Sequence, residues 1–512
     1  MHTRAYPGYK KVLARHIEQR LEVVPHARDR NQALQLEAHQ RDAMLEVAIA
    51  LQDEHRYKAF SIVHCCGSGK TVLEANIVGA SQDAKSDLGI NEDRRDIILT
   101  TERALIEVIR NQFGALGFDD LGVWGAGEKI LDRPIVLATI QALQHNRRKL
   151  GKLLPLDRID LVIGDEADSY LTGQRKKVIE QLDGALRVGL TATPKWRDGR
   201  DISEIWGPKI HEMRLSEGIA RGINTPPLWV LYEANLDEDT LKIRSDDYEP
   251  KTLAAAMKHA EIHKAIPEIY RAIIPAERRK EFPTLVYVPN TYLVETVAST
   301  LKEQFESEGI KVHYWTGETT STPEQREDIQ TFLRGEIQIL VLCEMGGRGM
   351  DLPAARFLID AYPTLSPTKL EQRHGRVLRR IREGSPLHQA GFRKDFAVVA
   401  QIHPKSNAFR PICLPDILGK EAWEQAVHGK VLGRSGKGLV GPPWLIEVEE
   451  LQKRIERQKP SIYISLIKQL DVYRKIVRGD ELEINPHLKK FYEEDSKGFF
   501  HLTTRHGACK AD

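Results

Sequence analysis

The octet His64-Cys65-Cys66-Gly67-Ser68-Gly69-Lys70-Thr71 combines the residue types that hold a triphosphate. An apolar run (Phe60, Ile62, Val63) precedes it and a helix-like segment (Val72, Leu73, Ala75, Ile77) follows. A strand, a glycine-bearing turn and a helix N-terminus point backbone N–H groups at an anion. In such a loop Gly67, Ser68 and Gly69 cradle the phosphates, Lys70 reaches the β- and γ-phosphates, and the Thr71 hydroxyl coordinates magnesium. The first position of the usual G-x-x-x-x-G-K-[ST] pattern is His64 instead of glycine. Cys65 and Cys66 read as packing residues, because a bound triphosphate disfavours a thiolate beside it.

A second cluster, Val162-Ile163-Gly164-Asp165-Glu166-Ala167-Asp168, ends an apolar run 95 residues beyond Lys70. Magnesium-dependent phosphoryl transfer needs an acidic residue at such a strand end. Asp165 would hold the metal, and Glu166 would orient and deprotonate the attacking water. A third, Gly189-Leu190-Thr191-Ala192-Thr193-Pro194, follows another strand-like run, and the hydroxyls of Thr191 and Thr193 can bond to the acidic motif and relay its state.

The elements that must position these residues alternate. Strand-like runs at 60–64, 96–100, 134–138, 159–163 and 186–191 are separated by amphipathic helical stretches such as 102–113, after an amphipathic helix over 33–51. That rhythm predicts an α/β fold with a parallel sheet covered on both faces and the chemistry at the strands' C-terminal ends. A second series (284–288, 311–315, 337–342, 356–360, 396–402) predicts another lobe, without a phosphate loop. Residues 1–30, basic and polar with no strong period, read as a flexible or lightly packed lead-in, and residues 195–260 break the rhythm and read as the connection. A Gly-rich basic linker, 433–443, then leads into segments 444–458 and 461–478, read as helices.

A chain of 512 residues exceeds one hydrophobic core. A composition 41% hydrophobic and 29% charged is that of an ordinary globular protein, and a net charge of +2 confines any nucleic-acid contact to a local basic groove. The five cysteines form no C-x-x-C pair, which argues against a zinc ribbon or a disulfide framework. The N-terminal stretch lacks an apolar core and no run of eighteen apolar residues occurs, so a cytoplasmic protein without membrane contact is expected.

Taken in order, these motifs resemble those of the superfamily 2 DEAD/DEAH-type helicases and translocases, over Ala33 to Leu418. The resemblance implies two tandem RecA-like lobes, ATP and Mg2+ as cofactors, and nucleic acid as partner. It divides the chain into a lead-in (1–30), an ATP-binding lobe (31–215), an interlobe connection (216–265), a second lobe (266–418) and a small, mostly helical extension (419–512). By resemblance Gln40 reads adenine, and Thr101, Arg103, Thr139 and Gln141 hold nucleic-acid backbone, as do Thr316, Gly317, Gly346 and Gly347. Arg326, Phe332 and Gly335 belong to the run leading to Cys343–Pro353, in which Asp351 is placed to sense nucleotide. In Gln372-Arg373-His374-Gly375-Arg376-Val377-Leu378-Arg379, Gln372 lies with the nucleotide. Arg376 and Arg379, three apart and so on one helical face, project to the γ-phosphate.

The literal D-E-A-D suggests the DEAD-box RNA helicases, but three features depart from them. Thr191-Ala192-Thr193 stands for S-A-T, Thr101–Leu105 for P-T-R-E-L, and Gln372 for the leading His. GLTATP, QRHGRVLR and Leu215–Gly222 are more similar to the branch of restriction motor subunits and excision-repair helicases. The expected function is an ATP-dependent helicase or translocase, with DNA favoured. The alternatives are an RNA-remodelling ATPase, or a motor subunit serving a nuclease, repair or defence partner without unwinding of its own.

Overall fold

A computed structural model describes residues 8–21, 36–53, 56–90, 93–101, 103–115, 117–194, 200–234, 236, 238–244, 247–316, 327, 331–343, 352–404 and 411–418, with short strands in the tail. The chain separates into two compact units, Met1–Arg214 and Leu215–Asp512.

In the first unit the elements are α1 (Tyr9–Gln19), α2 (Ala38–Gln52), β1 (Ala59–His64), α3 (Lys70–Asp87), β2 (Arg95–Thr100), α4 (Arg103–Ala115), β3 (Leu121–Gly125), β4 (Glu128–Ile130), β5 (Ile135–Thr139), α5 (Ile140–His145), β6 (Ile159–Asp165), β7 (Leu186–Thr191) and β8 (Lys209–Met213). The strands form one sheet in the order β4-β3-β5-β2-β6-β7-β1-β8, parallel except where β4 turns back on β3. β1 and β5 are buried along their whole length, as continuous apolar strands between two helical layers must be. Successive side chains take opposite faces: Phe60 and Ile62 pack under α1, α2 and α3, whereas Val63 joins Ile97, Leu99 and Trp206 on the other side.

The lead-in is in part a helix of this core, contrary to the expectation of a lightly packed segment. Tyr9, Leu13 and Ile17 of α1 are fully buried against α2 and α3. Their spacing of four is helical, but the basic residues between them hide it. Arg20 follows into the interior, where its guanidinium pairs with Asp83 of α3.

The second unit holds β9 (Pro227–Ala234), a hairpin of β10 (Ile243–Arg244) and β11 (Asp247–Tyr248), and then β12 (Thr284–Tyr287), β13 (Val312–Trp315), β14 (Ile339–Leu342), β15 (Phe357–Asp360) and β16 (Ala397–Pro404). The tail adds a pair, β17 (Val431–Leu432) and β18 (Gly438–Leu439), and a strand β19 (Ile464–Leu466). The main sheet runs β13-β14-β12-β15-β16-β9-β19.

Two sequence expectations change here. Within the segment read as a connection, β9 is a sheet strand paired in parallel with β16 from Pro227 to Ala234. Its Leu228-Trp229-Val230-Leu231-Tyr232 run satisfies a buried strand, but the neighbouring Asn-Thr-Pro-Pro turn and the charged flanks mask it. In the tail, β19 lies inside the segment read as a helix and pairs antiparallel with β9. Its pairing completes the free edge of β9, a tertiary demand that local pattern does not carry.

Candidate active site

The sheet register of the first unit assembles three of the motifs. Asp165 of β6 lies opposite Leu190 of β7, and Thr191 of β7 lies opposite Val63 of β1. The acidic motif, the threonine motif and the phosphate loop therefore leave three neighbouring strands at the same, C-terminal, end.

In the loop, Gly67 and Gly69 have φ of +83° and +82°, the left-handed region that favours glycine. His64 belongs to β1 and is extended, which is why a bulky residue is tolerated at the pattern's first position. Its ring is buried, with Nε2 2.9 Å from Nδ1 of His211 on the edge strand β8. The loop is braced from the other side by α2, where His39 Nε2 and Gln40 Nε2 donate to the Ser68 carbonyl at 2.8 and 3.0 Å. Gln40 Oε1 accepts from the Glu37 N–H at 3.0 Å, closing the N-terminus of α2. Gln40 is thus buried and bonded at both ends of its amide, so the residue expected to read adenine also holds the loop. Lys70, at the start of α3, turns back toward the His64 carbonyl at 3.4 Å. Cys65 and Cys66 are buried, in keeping with a packing role.

The acidic cluster is crowded. Asp165 as a residue is only half-buried, but its carboxyl group faces a low-dielectric pocket, and burial, then the Glu166 charge, pushes its pKa up to about 7 against the pull of Lys70. Burial, then Glu166, pushes Asp168 up to about 8. Glu74, one turn along α3 from Lys70, is a member the sequence reading missed. Burial, then Asp165, holds it well above the usual carboxylate range, and apart from a hydrogen bond shared with the Asp165 carboxyl neither of its oxygens has a partner among the described residues. Glu166 sits in the left-handed region (φ 50°, ψ 55°), and its buried Oε2 likewise has no partner among the described residues. The Glu74, Asp165 and Glu166 carboxyls, gathered with few donors, fit a divalent cation. No group of three or more His, Cys, Asp or Glu among the described residues could hold one alone. An ion here would take its other ligands from phosphate and water, as magnesium does.

The threonine motif meets the acidic motif directly. Thr191 Oγ1 donates to Asp168 Oδ1 at 2.6 Å, and the Thr193 backbone N–H donates to Thr191 Oγ1 at 3.1 Å. Further along the same sheet end, Thr100 of β2 lies opposite Thr139 of β5. The Gln141 amide donates to the Thr101 carbonyl, which brings two of the expected backbone-holding residues together. Thr139 is buried and caps α5, accepting from Ala142 N at 3.2 Å. Arg103 begins α4, and its side chain lies outside the described residues.

In the second unit Thr316 is buried just after β13, and Gly317, Arg326, Gly346, Gly347 and Asp351 lie outside the described residues. Gln372 and Arg376 are on the helix Pro367–Val377. Arg379 is not: the helix stops at Val377, and Arg379 forms an isolated antiparallel bridge with Asn224. The Thr225 N–H donates to the Leu378 carbonyl at 2.7 Å, so an adjacent extended segment takes the carbonyl bonding that would have continued the helix. Arg376 and Arg379 therefore do not share a helical face. Between them and β15, His374 Nε2 donates to Asp360 Oδ2 at 2.8 Å in a fully buried contact.

Residues 33–196 match the family described as Type III restriction enzyme, res subunit, and residues 264–380 match the Helicase conserved C-terminal domain. The DNA 3'-5' helicase XPB of Kineococcus radiotolerans is 28% identical over 330 residues, 63% of this chain and 54% of that protein. The ATP-dependent RNA helicase DBP8 of Kluyveromyces lactis is 23% identical over 338 residues, 63% of this chain and 71% of that protein. The ATP-dependent Type ISP restriction-modification enzyme LlaBIII bound to DNA shares the fold, with a TM-score of 0.55 at 14% identity over 89% of this chain and 34% of that one. The chain spans about half the length of several curated relatives it matches, XPB among them. No helix among the described residues is long and apolar enough to cross a membrane. With a restriction-subunit match on the phosphate-loop half, a helicase match on the other and XPB as a relative, the chain belongs to the superfamily 2 helicases, on the restriction-subunit and excision-repair-like branch.

Proposed function

We propose that this chain is an ATP-dependent DNA helicase or translocase. The observation that carries the reading is the convergence of Lys70, Asp165, Glu166 and Thr191 at one end of β1, β6 and β7. Lys70 and the loop N–H groups bind the β- and γ-phosphates, and Thr71 and Asp165 are the residues that would hold Mg2+. That ion, when bound, neutralises charge on the transferring phosphoryl group. Glu166 orients the attacking water and accepts its proton, and Asp168 passes the state of the acidic motif to Thr191. Arg376 and Arg379 serve the same hydrolysis from the second unit's sixth motif, where arginines in other nucleotide hydrolases contribute on the order of 10³–10⁵ in rate. Thr101, Gln141 and Thr316, with Arg103, Thr139, Gly317, Gly346 and Gly347, hold the strand by its backbone, which makes binding sequence-independent and salt-sensitive.

DNA is favoured over RNA because the relative XPB is a DNA helicase by name and the phosphate-loop half matches a restriction-enzyme subunit, although DBP8 keeps RNA as the competing polymer. The test is the ATPase rate with single-stranded DNA, duplex DNA or RNA at low salt, beside Lys70→Ala and Glu166→Gln. DNA is expected to raise the wild-type rate and both variants to abolish it. No response to any polymer overturns the motor reading, and a response to RNA alone overturns the substrate. A separate nuclease or methyltransferase chain is the finer partner reading, tested by co-purification from the native cell.

A further inference from the structure

Trp206 lies outside every motif the sequence singles out, yet it touches both sides of the acidic turn. It ends the short helix Ser203–Trp206, which starts beyond the threonine motif and is tied back to it, Ile202 N donating to the Pro194 carbonyl at 3.0 Å. Its side chain is fully buried. The indole packs against two glycines that face each other across β6 and β7, Gly164 and Gly189. A Cβ built on Gly164 would stand 2.3 Å from Trp206 Cζ2 and Cη2, and one on Gly189 would stand 2.7 Å from Cγ. Each glycine immediately precedes chemistry: Gly164 is followed by Asp165 and Glu166, and Gly189 lies two residues before Thr191. The indole N–H donates to the Ala167 carbonyl at 3.0 Å, on the far side of Glu166. Tyr170 meets the ring edge-on, with centroids 5.6 Å apart.

Glu166 is a non-glycine residue at φ +50°. Such a conformation persists only where its surroundings fix it. On one side the Glu166 turn is fixed by β6, whose closeness to the indole requires Gly164. On the other it is fixed by the Ala167 carbonyl, held by the indole N–H. We propose that Trp206 is a positioning residue for hydrolysis: one rigid side chain packs across the facing glycines of β6 and β7 and clamps the turn that aims Glu166 at its water. Because the glycines, the Ala167 carbonyl and the Tyr170 ring that meet the indole all lie outside the phosphate loop, it governs the chemical step and leaves nucleotide binding to the loop.

This rests on the ATPase reading above, and the experiment separates the two. kcat and KM for ATP are measured at saturating DNA for wild type, Trp206→Phe, Gly164→Ala and the double variant, with melting temperatures and binding of a fluorescent ATP analogue on the same samples. Trp206→Phe keeps an aromatic ring but removes the N–H and the Cζ2–Cη2 edge. It should lower kcat roughly ten- to a hundredfold, the scale of a misplacement of about 1 Å at a reacting group, with KM and analogue affinity within about twofold of wild type. Gly164→Ala should lower kcat similarly by displacing the indole. The double variant should be no worse than Trp206→Phe, because the phenyl ring lacks the atoms that the new methyl strikes. Wild-type kcat in folded Trp206→Phe overturns the proposal, as does a loss shared equally by kcat and analogue binding, or multiplicative losses in the double variant. An inactive wild type overturns the ATPase reading itself.

Discussion

The hydroxyl of Thr191 donates to the Asp168 carboxyl at 2.6 Å, a fully buried contact that ties the threonine motif to the acidic motif through one hydrogen bond. The acid it meets is raised to about 8 by burial and then by Glu166, and the Thr191 donor opposes that rise. Thr191→Val keeps the shape and removes the donor. A buried acceptor left without its partner costs about 1–3 kcal/mol. The sign with pH follows from the raised acid. Its protonation stabilises the fold, so stability is lost as pH rises from the unfolded value through the folded one, and without Thr191 that loss grows. The melting deficit of Thr191→Val should therefore be larger at pH 9 than at pH 6.5. An equal deficit at both would mean that the hydroxyl does not sense the Asp168 charge.

Gln40 bonds to the Ser68 carbonyl and the Glu37 N–H, bracing the loop as it closes the helix start. A residue that only reads adenine would, when removed, erase the preference for ATP over GTP. A brace would weaken both nucleotides together. Gln40→Ala should therefore raise Kd for ATP and GTP by similar factors, measured by titration of the purified variant. A loss confined to ATP would restore the base-reading assignment.

The phosphate loop, the acidic motif and the threonine motif were legible in the sequence because each is a contiguous string at a strand end, and a parallel sheet brings such ends together. Trp206 and Glu74 were not. A lone tryptophan in a polar stretch and a glutamate inside a helix carry no local sign that one lies on two distant glycines and the other faces Asp165. Helix α1 was obscured by its charged residues, because Arg15, His16 and Arg20 look like a solvated lead-in until their partners Asp87 and Asp83 on α3 are known. The break after Val377 was equally hidden, since QRHGRVLR reads as continuous helix and only pairing of 224–225 with 378–379 ends it.

His374 gives the second unit a pH dependence. Burial holds its pKa below the usual histidine value, against the pull of Asp360. Burial alone would raise Asp360, but Arg373 and His374 more than offset it and keep it low. Both shifts have the same sign. Stability from neutral His374 is complete above its unfolded value of about 6.5 and is lost as pH falls below that toward the folded value, whereas Asp360 adds its loss only below about 4. Between pH 7.5 and 5.5 the histidine is the member of this pair that titrates. His374→Gln retains a donor for Asp360 and removes the titration. Its melting temperature should fall less between those two pH values than that of wild type. An identical fall in both would remove His374 as the source.

Gly79 offers a test whose sign is opposite to the usual rule. It lies in the interior of α3, where replacing glycine by alanine ordinarily stabilises by up to about 1 kcal/mol. Here a Cβ would stand 2.6 Å from Nη1 of Arg20. A guanidinium at the end of a long side chain could normally swing away, but this one is 1% exposed and paired with Asp83, so movement would break a part-buried ion pair or lift α1 from α3. Overpacking of this kind costs about 1–3 kcal/mol. Gly79→Ala should therefore lower the melting temperature and speed proteolysis within residues 8–21, while Gly79→Ala combined with Arg20→Ala should do no more harm than Arg20→Ala alone. A stabilised Gly79→Ala would show that α1 does not hold Arg20 over this helix, and would return the first residues to the lightly packed lead-in that their composition suggests.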